Sequence, residues 1–144
     1  MRFIITAGTD DSHTKSEGEA PFDETLFTAY MKFNEDMAKA GVLIASEGLN
    51  PAGGRARVEA SHGTRRLVDG PFAETKELLG GFYLIEVGSL EDAIEWAMRC
   101  PVGMASANVL NIQQLTDGSD IPEPFLELIR KVAPTWSKTF KVSK

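Results

Sequence analysis

The hydrophobic positions along this chain change their spacing several times, and each change marks a predicted element. Arg2 to Ala7 is a short apolar run that suits a buried strand, whereas Gly8 to Pro21 is polar and typical of a long loop. Apolar residues then recur at helical spacing up to Gly41, which predicts a first helix with a left-handed stop. The core-facing positions of that helix are Leu26, Tyr30, Phe33 and Met37.

Further strands are predicted wherever short apolar runs meet turn residues. Arg55 to Ala60 alternates charged and apolar residues, so this strand is predicted to be half-buried. Ser61-His62-Gly63 supplies the turn that joins it to its partner in a hairpin. The predicted strands after the first helix cover 42–46, 55–60, 64–68, 82–87 and 108–115.

Two more helices are predicted in the second half of the chain. Ser89 and Asp92 resemble a capping box that begins the first of them, and Pro101 ends it. Its predicted apolar face consists of Leu90, Ala93, Ile94, Ala97 and Met98, flanked by Trp96 and Cys100. A C-terminal amphipathic helix is opened by Pro124 and closed before Pro134.

The order of these elements indicates an α+β fold of one domain, which suits a length of 144 residues. If both earlier helices cover one face of the sheet, the other face needs a cover of its own. A second copy of the chain is the obvious candidate. We therefore expect a homodimer.

Charge and composition narrow the classes of function. The net charge is -6 and the pI is about 4.9, so the chain repels nucleic-acid phosphates and direct binding to nucleic acid is not expected. The apolar runs are too short for a membrane span, and the single cysteine fits a reducing cytoplasm. Metal-ligand spacings and phosphate-binding glycine loops are missing from the sequence, so no cofactor is expected.

The run Asp69-Gly70-Pro71-Phe72 interrupts two apolar segments and admits two interpretations. In the first it is a rigid turn, in which Asp69 accepts a backbone hydrogen bond. In the second the rigid corner holds the Asp69 carboxylate at the mouth of a cavity, where partial burial makes it a usable base. Tyr30 and Glu47 are the further catalytic candidates, because both are polar groups that could reach the same cavity.

A second set of residues is proposed to bind a substrate. These candidates are Phe72, Glu74, Lys76 and Tyr83. For Glu74 and Lys76 the run of charges by itself favours a solvated surface over a role in binding. His62 is assigned to an exposed turn and Cys100 to a buried structural thiol, so neither is a catalytic candidate.

Three stretches carry a family resemblance. GVLIASEGLNP, RRLVDGPFAETKELLGGFYLIEV and SLEDAIEWAMRCP follow an N-terminal strand and helix in that order, and the chain resembles the YCII-related family in its DGPF branch. The resemblance implies a ferredoxin-like α+β fold that dimerises into an α/β barrel-type assembly, here with an inserted β-hairpin and an appended C-terminal helix. It also divides the chain into a YCII-related domain over 1–115 and a helix with a basic, aromatic tail over 116–144, packed on the same domain.

The resemblance implies less about activity. The wider family has a presumed catalytic pair, a histidine on the first helix and an aspartate near the second strand. Counted back from Gly41, the histidine position falls at Tyr30, so this pair is incomplete here. Some members of the branch are fused to alternative sigma factors or encoded beside them.

Two hypotheses of function follow. The preferred one is a cytoplasmic homodimer with a small-molecule pocket, acting as a cofactor-independent lyase or isomerase through a carboxylate base. The alternative is a non-catalytic binding or accessory module, linked to transcription regulation through a protein partner. An enzyme gathers polar groups in one cleft, whereas an interaction module exposes an apolar patch outside the dimer interface.

Overall fold

Six strands and three α-helices form the described part of the chain, which in this computed structural model comprises residues 1–10, 24–50, 54, 56–69, 77–101 and 109–140. In chain order the elements are β1 (Arg2–Asp10), α1 (Glu24–Lys39), β2 (Leu43–Gly48), β3 (Ala56–Ser61), β4 (Thr64–Asp69), β5 (Glu77–Glu86), α2 (Leu90–Arg99), β6 (Val109–Gln114) and α3 (Glu123–Val132). Short 3-10 helices cover Gly118–Asp120 and Trp136–Thr139.

Four strands make one antiparallel sheet in the order β2-β5-β1-β6. Taken with α1 and α2, this order is the β-α-β-β-α-β arrangement of a ferredoxin-like fold. The strands β3 and β4 form a separate two-stranded sheet, inserted between β2 and β5. The predicted α+β class, its inserted hairpin and its appended C-terminal helix are confirmed.

The core lies between α1, α2 and one face of the sheet, which we call the inner face. Alternate residues of the two central strands point into it, as the two-residue period of a strand requires. The α1 residues predicted to face the core also lie there, so that prediction is confirmed. The buried cluster contains Phe3, Ile5, Tyr30, Phe33, Met37, Tyr83, Ile85, Ala93, Ala97 and Cys100.

Local signals fix the ends of both helices. Gly41 adopts a φ of 74°, the left-handed conformation that ends α1, and the N–H of Val42 donates to the carbonyl of Met37 at 3.1 Å. At the start of α2 the Ser89 hydroxyl accepts a hydrogen bond from the N–H of Asp92 at 3.1 Å. Both predicted ends are confirmed.

The strands β1 and β5 extend beyond the predicted apolar runs. Residues 8–10 belong to β1, and 77–81 belong to β5, although the sequence predicted a loop and a glycine break there. The two segments pair by backbone hydrogen bonds, with Asp10 opposite Glu77 and a register shift between Ala7 and Gly8. Such pairing does not require apolar side chains, so hydrophobic spacing does not predict it.

The predicted apolar face of α2 is partly wrong. Leu90, Ile94 and Met98 are 45%, 42% and 82% exposed, whereas Ala93 and Ala97 are buried. Because alanines have short side chains, this side of the helix can approach the sheet closely. Leu90, Ile94 and Met98 consequently form an exposed stripe on α2, directed away from the core.

The hairpin is formed as predicted, but it is not half-buried. His62 and Gly63 have φ values of 49° and 80°, as a two-residue hairpin turn requires. Val58 and Leu67 lie directly opposite each other, and each is 64% exposed. Within one chain, therefore, the apolar side of β3 and β4 is largely solvated.

The C-terminal segment continues from the edge strand β6. The N–H of Leu115 donates to the carbonyl of Arg2 at 2.8 Å, and Nη2 of Arg2 donates to the carbonyl of Thr116 at 3.1 Å. Leu126 of α3 is buried, while Phe125 is 59% exposed. The predicted boundary after residue 115 and the packing of 116–144 on the same domain stay predictions. Among the helices of the described ranges, none is both long and apolar enough to span a bilayer.

Two adjacent glycines in β5 allow a matched test of this packing. A Cβ built on Gly81 would lie 2.7 Å from the backbone oxygen of Glu47, whereas one on Gly80 would meet only the backbone oxygen of Ala7 at 3.5 Å. Gly81→Ala should therefore destabilise the protein by about 1–3 kcal/mol, because two paired backbones would have to separate. Gly80→Ala should cost less. Urea unfolding measures both, and equal midpoints for the two variants would contradict the close approach of β2 to β5.

Candidate functional site

Two tyrosines from different elements lie close together in the core. Tyr30 belongs to the inward stripe of α1, one helical turn before Phe33, and Tyr83 is an inward residue of β5, two positions before Ile85. Tyr30 is 8% exposed and Tyr83 is 7% exposed. The structure thus brings together two of the predicted site residues, one from the catalytic set and one from the substrate-binding set.

The hydroxyl of Tyr83 is hydrogen-bonded to the thiol of Cys100, which ends α2. Burial is the main cause that raises the pKa of Tyr83 far above its usual range, and the neighbouring Cys100 and Tyr30 raise it further. Burial also raises the pKa of the Cys100 thiol, against an opposing effect of its hydrogen bond to Tyr83. Sγ of Cys100 also lies 3.4 Å from the carbonyl oxygen of Pro101, to which the thiol donates.

These shifts define what this pair can do chemically. Near neutral pH the phenol of Tyr83 keeps its proton, so it is a hydrogen-bond donor and not a base. The thiol of Cys100 stays protonated as well, and a thiol is a poor nucleophile compared with a thiolate. Near neutral pH neither group of the pair is therefore a base or a thiolate nucleophile.

Aromatic contacts hold Tyr83 in place. Its ring meets the ring of Phe33 edge-on, with centroids 5.5 Å apart and planes at 86°, and Phe33 also contacts Trp96 at 6.2 Å. The guanidinium of Arg99 lies 4.2 Å from the centre of the Trp96 ring, and its Nη2 lies 3.4 Å from Oδ2 of Asp36 on α1. These contacts connect α1 to α2 across the top of the core.

Glu47 lies on the opposite face of the sheet, which we call the outer face. In β2 Glu47 is opposite Phe82, while the preceding Ser46 is opposite the inward Tyr83. Oγ of Ser46 donates to Oδ1 of Asn34 on α1 at 3.4 Å, which confirms that Ser46 points toward the helices. Because neighbouring strand residues alternate between faces, Glu47 points away from them. The structure thus separates Glu47 from Tyr30 and Tyr83.

A β-bulge is the reason for this placement. The register of β2 on β5 shifts between Leu43, which packs on the core, and Ala45. The bulged residue Ile44 is 45% exposed. Strict alternation from Leu43 would have pointed Glu47 inward, but one extra residue reverses the sides of everything that follows. The exposed carboxylate of Glu47 is thereby added to the outer face.

The outer face has an apolar centre. Ile4 of β1 lies directly opposite Leu84 of β5, and the next outward pair is Thr6 with Phe82. These four residues are partly exposed. Glu47 extends this surface on the edge strand β2, beside Phe82. The face thus combines a carboxylate with partly solvated apolar surface.

The remaining predicted site residues are only partly described by the structure. Asp69 ends β4, where its backbone pairs with Ala56, and its side chain lies outside what is described. Phe72, Glu74 and Lys76 also lie outside the described residues. The roles assigned to them, and to Asp69 as a base, stay predictions.

Sequence reasoning missed Cys100 as the partner of Tyr83. The signal that could have found it is the spacing of Ala93, Trp96, Ala97 and Cys100, which all fall on one side of a helix. Large residues elsewhere on α2 concealed this pattern, because hydrophobicity ranks Leu and Ile above Ala.

Comparison with known proteins gives a family for this architecture. A model of the YCII-related domain matches residues 1–116. An uncharacterized protein of Rhizobium meliloti is 34% identical over 97 residues, which are 67% of this chain and 77% of that protein. Among solved structures, the chain is similar to the 5-chloro-2-hydroxyhydroquinone dehydrochlorinase of Burkholderia phenoliruptrix in complex with 2,5-dihydroxybenzoquinone. The TM-score is 0.42 and the identity 13%, over 85% of this chain and 100% of that one.

The ionisation of Tyr83 gives a testable dependence of stability on pH. The pKa of Tyr83 is raised in the folded protein, so the unfolded chain loses its phenolic proton first as the pH rises past about 10. The unfolded state then binds fewer protons, and the free energy of unfolding falls with pH. Cys100 acts in the same direction from about pH 8.5. This stability is complete below those values.

Tyr83→Phe removes the phenol while keeping the ring, so the fall in stability at alkaline pH should be smaller in the variant than in the wild type. Urea midpoints measured from about pH 8 to about pH 10.5 provide the comparison. If both proteins lose stability equally over that range, Tyr83 ionises as it would in an unfolded peptide, and its burial does not raise its pKa.

Proposed function

The chain belongs to the YCII-related family, and from that premise we propose that it is a cytoplasmic homodimer that binds a small organic molecule between its two sheets. We propose that it acts on this molecule as a cofactor-independent lyase or isomerase with a carboxylate base. The run Asp69 to Glu77 supports its placement in the DGPF branch. The single observation that carries the proposal is the exposed Glu47 carboxylate beside the apolar centre of the outer face.

A dimer is supported by the distribution of apolar residues on the sheet. The core helices α1 and α2 both lie on the inner face, while Ile4, Phe82 and Leu84 remain partly exposed on the outer face. A second sheet packed on this surface at about 10 Å would bury these residues from both protomers. Two such sheets form the barrel-type assembly that the family resemblance implies.

The same packing would give Glu47 a chemical role. A carboxylate enclosed by apolar surface has lost part of its hydration and holds a proton more tightly, which makes it an effective general base. Glu47 lies beside Phe82 on the edge strand, so the site would have a carboxylate at its rim and aromatic surface next to it. Asp69, with Phe72, Glu74 and Lys76, is proposed to complete the site from the segment between β4 and β5.

A carboxylate base that acts without a cofactor limits the proposed reactions to those that begin with the removal of a proton from carbon. The carboxylate takes a proton from a carbon next to a carbonyl, and the C–H electron pair forms the carbon–carbon double bond of an enolate. Return of a proton at another carbon gives an isomer. Loss of a leaving group from the neighbouring carbon, with its bonding electrons, gives the product of a lyase. Neither outcome requires an oxidant or a reductant.

A second candidate function has one specific observation in its favour. The exposed stripe of Leu90, Ile94 and Met98 on α2 is a surface that a protein partner could cover, and Glu91 and Glu95 flank it. We propose a non-catalytic accessory module linked to transcription as the alternative. In that case substitutions in the stripe would affect function, and substitutions of Glu47 would not.

The dimer predicts a mass near twice 15.7 kDa in light scattering at micromolar concentration. Leu84→Asp places a charge at the centre of the proposed interface and should give a folded monomer, because burying an unpaired carboxylate is costly. The matched control is Met98→Asp, an equally charged change at an exposed apolar residue of α2. A wild-type mass near 15.7 kDa would contradict the assembly.

Proton abstraction predicts that the protein catalyses uptake of deuterium from D2O into a compound of a small-carbonyl library, followed by proton NMR. Glu47→Gln keeps the shape and removes the charge, so exchange should fall by about 10²-fold or more. The control is Glu86→Gln, an exposed carboxylate of β5 whose backbone N–H donates to the carbonyl of Val42, at the end of β2 remote from Glu47. Asp69→Asn tests the second proposed base in the same assay. If neither Glu47→Gln nor Asp69→Asn changes the rate of deuterium exchange, the assignment of a carboxylate base is wrong.

A further inference from the structure

The hairpin formed by β3 and β4 has features that suit packing against another part of the protein assembly. It forms a separate two-stranded sheet, and an isolated hairpin is only marginally stable in water. Its turn is nevertheless specific, because His62 and Gly63 both take the positive φ that a tight hairpin requires. A preformed hairpin with a defined register is suited to packing as a unit.

The two faces of the hairpin differ in how many of their side chains find partners within one chain. On one face Glu59 pairs with Arg66 at 3.2 Å and with Arg57 at 3.6 Å. On the other face Val58 lies directly opposite Leu67, and each remains 64% exposed. On the polar face these charged side chains form ion pairs with each other. The apolar face instead exposes a cross-strand pair of a kind that stabilises sheets when it is buried.

The net charge of the hairpin is opposite in sign to that of the rest of the chain. Residues 56–69 contain three arginines and two acids, so the hairpin carries a net charge of +1, while the whole chain carries -6 and the remainder therefore -7. Arg65 lies opposite Ala60, which puts one of these cations at the rim of the apolar face. A second copy of the chain offers the opposite charge.

The position of the hairpin points to the same partner. The chain leaves the sheet after Gly48, next to Glu47, and re-enters it at Glu77, so the hairpin is tethered to the end of the sheet that carries Glu47. A six-residue strand is about 20 Å long, whereas packed sheets are about 10 Å apart. A hairpin tethered at this rim is long enough to reach across the space between two sheets.

We propose that β3 and β4 form an arm that packs Val58 and Leu67 on the second copy of the chain and closes the rim of the site beside Glu47. This inference rests on the homodimer proposed above. Each protomer would then contribute an arm to the site of its partner, so that the site is complete only in the dimer.

The test uses the full-length protein in two measurements. In the first, Leu67 is replaced by the photo-crosslinker p-benzoylphenylalanine, and irradiation should give a covalent dimer on a denaturing gel. The same replacement at Met98, which is 82% exposed on α2, should give none. The cross-linker keeps position 67 large and apolar, so this readout does not require the contact of the arm to be weakened.

In the second measurement, Val58→Asp combined with Leu67→Asp should weaken dimerisation by about 10²-fold in sedimentation equilibrium, since buried apolar anchors dominate such interfaces. Met98→Asp should leave it unchanged. A wild-type dimer without a cross-link from position 67 would overturn the arm and leave the dimer intact. A wild-type monomer would overturn both. Equal weakening by Met98→Asp would remove the assignment to the hairpin.

Discussion

The antiparallel pairing of β1 with β5 is the interaction on which the rest of the structure depends. It runs from Arg2 opposite Glu86 to Asp10 opposite Glu77, through the centre of the four-stranded sheet. Its inward residues, among them Ile5 and its partner Tyr83, form the floor on which α1 and α2 pack. Its outward pair, Ile4 with Leu84, forms the centre of the opposite surface. One ladder of backbone hydrogen bonds therefore creates both the core and the face proposed for assembly.

Much of this fold could be predicted from periodicity, and the failures have physical reasons. The inward stripe of α1 was predicted correctly, because large apolar side chains recur at helical spacing. The ends of β1 and β5 were missed, since polar residues such as Asp10 join a sheet through their backbones. The inward side of α2 was predicted too wide, because Ala93 and Ala97 are buried as expected, whereas the larger Leu90, Ile94 and Met98 are exposed.

The candidate site was less predictable, and a single inserted residue explains much of the difference. Tyr30 and Glu47 were expected to reach one cavity, yet the bulge at Ile44 directs Glu47 to the outer face. A β-bulge depends on the pairing of two strands, so the residues of β2 alone do not reveal it. The contact of Tyr83 with Cys100 is equally a property of the tertiary structure, because it joins β5 to the end of α2.

The two faces of the sheet consequently differ in the side chains that they present. On the inner face, burial keeps Tyr83 and Cys100 protonated, which suits a closed core and makes that face a poor place to move charge. On the outer face, the bulge places Glu47 without opening the core or burying a carboxylate in it. Bulges often redirect a side chain next to an active site, and this one costs only a local shift in register. In the proposed dimer the carboxylate would acquire its chemical environment from assembly, after each chain has folded around a neutral interior.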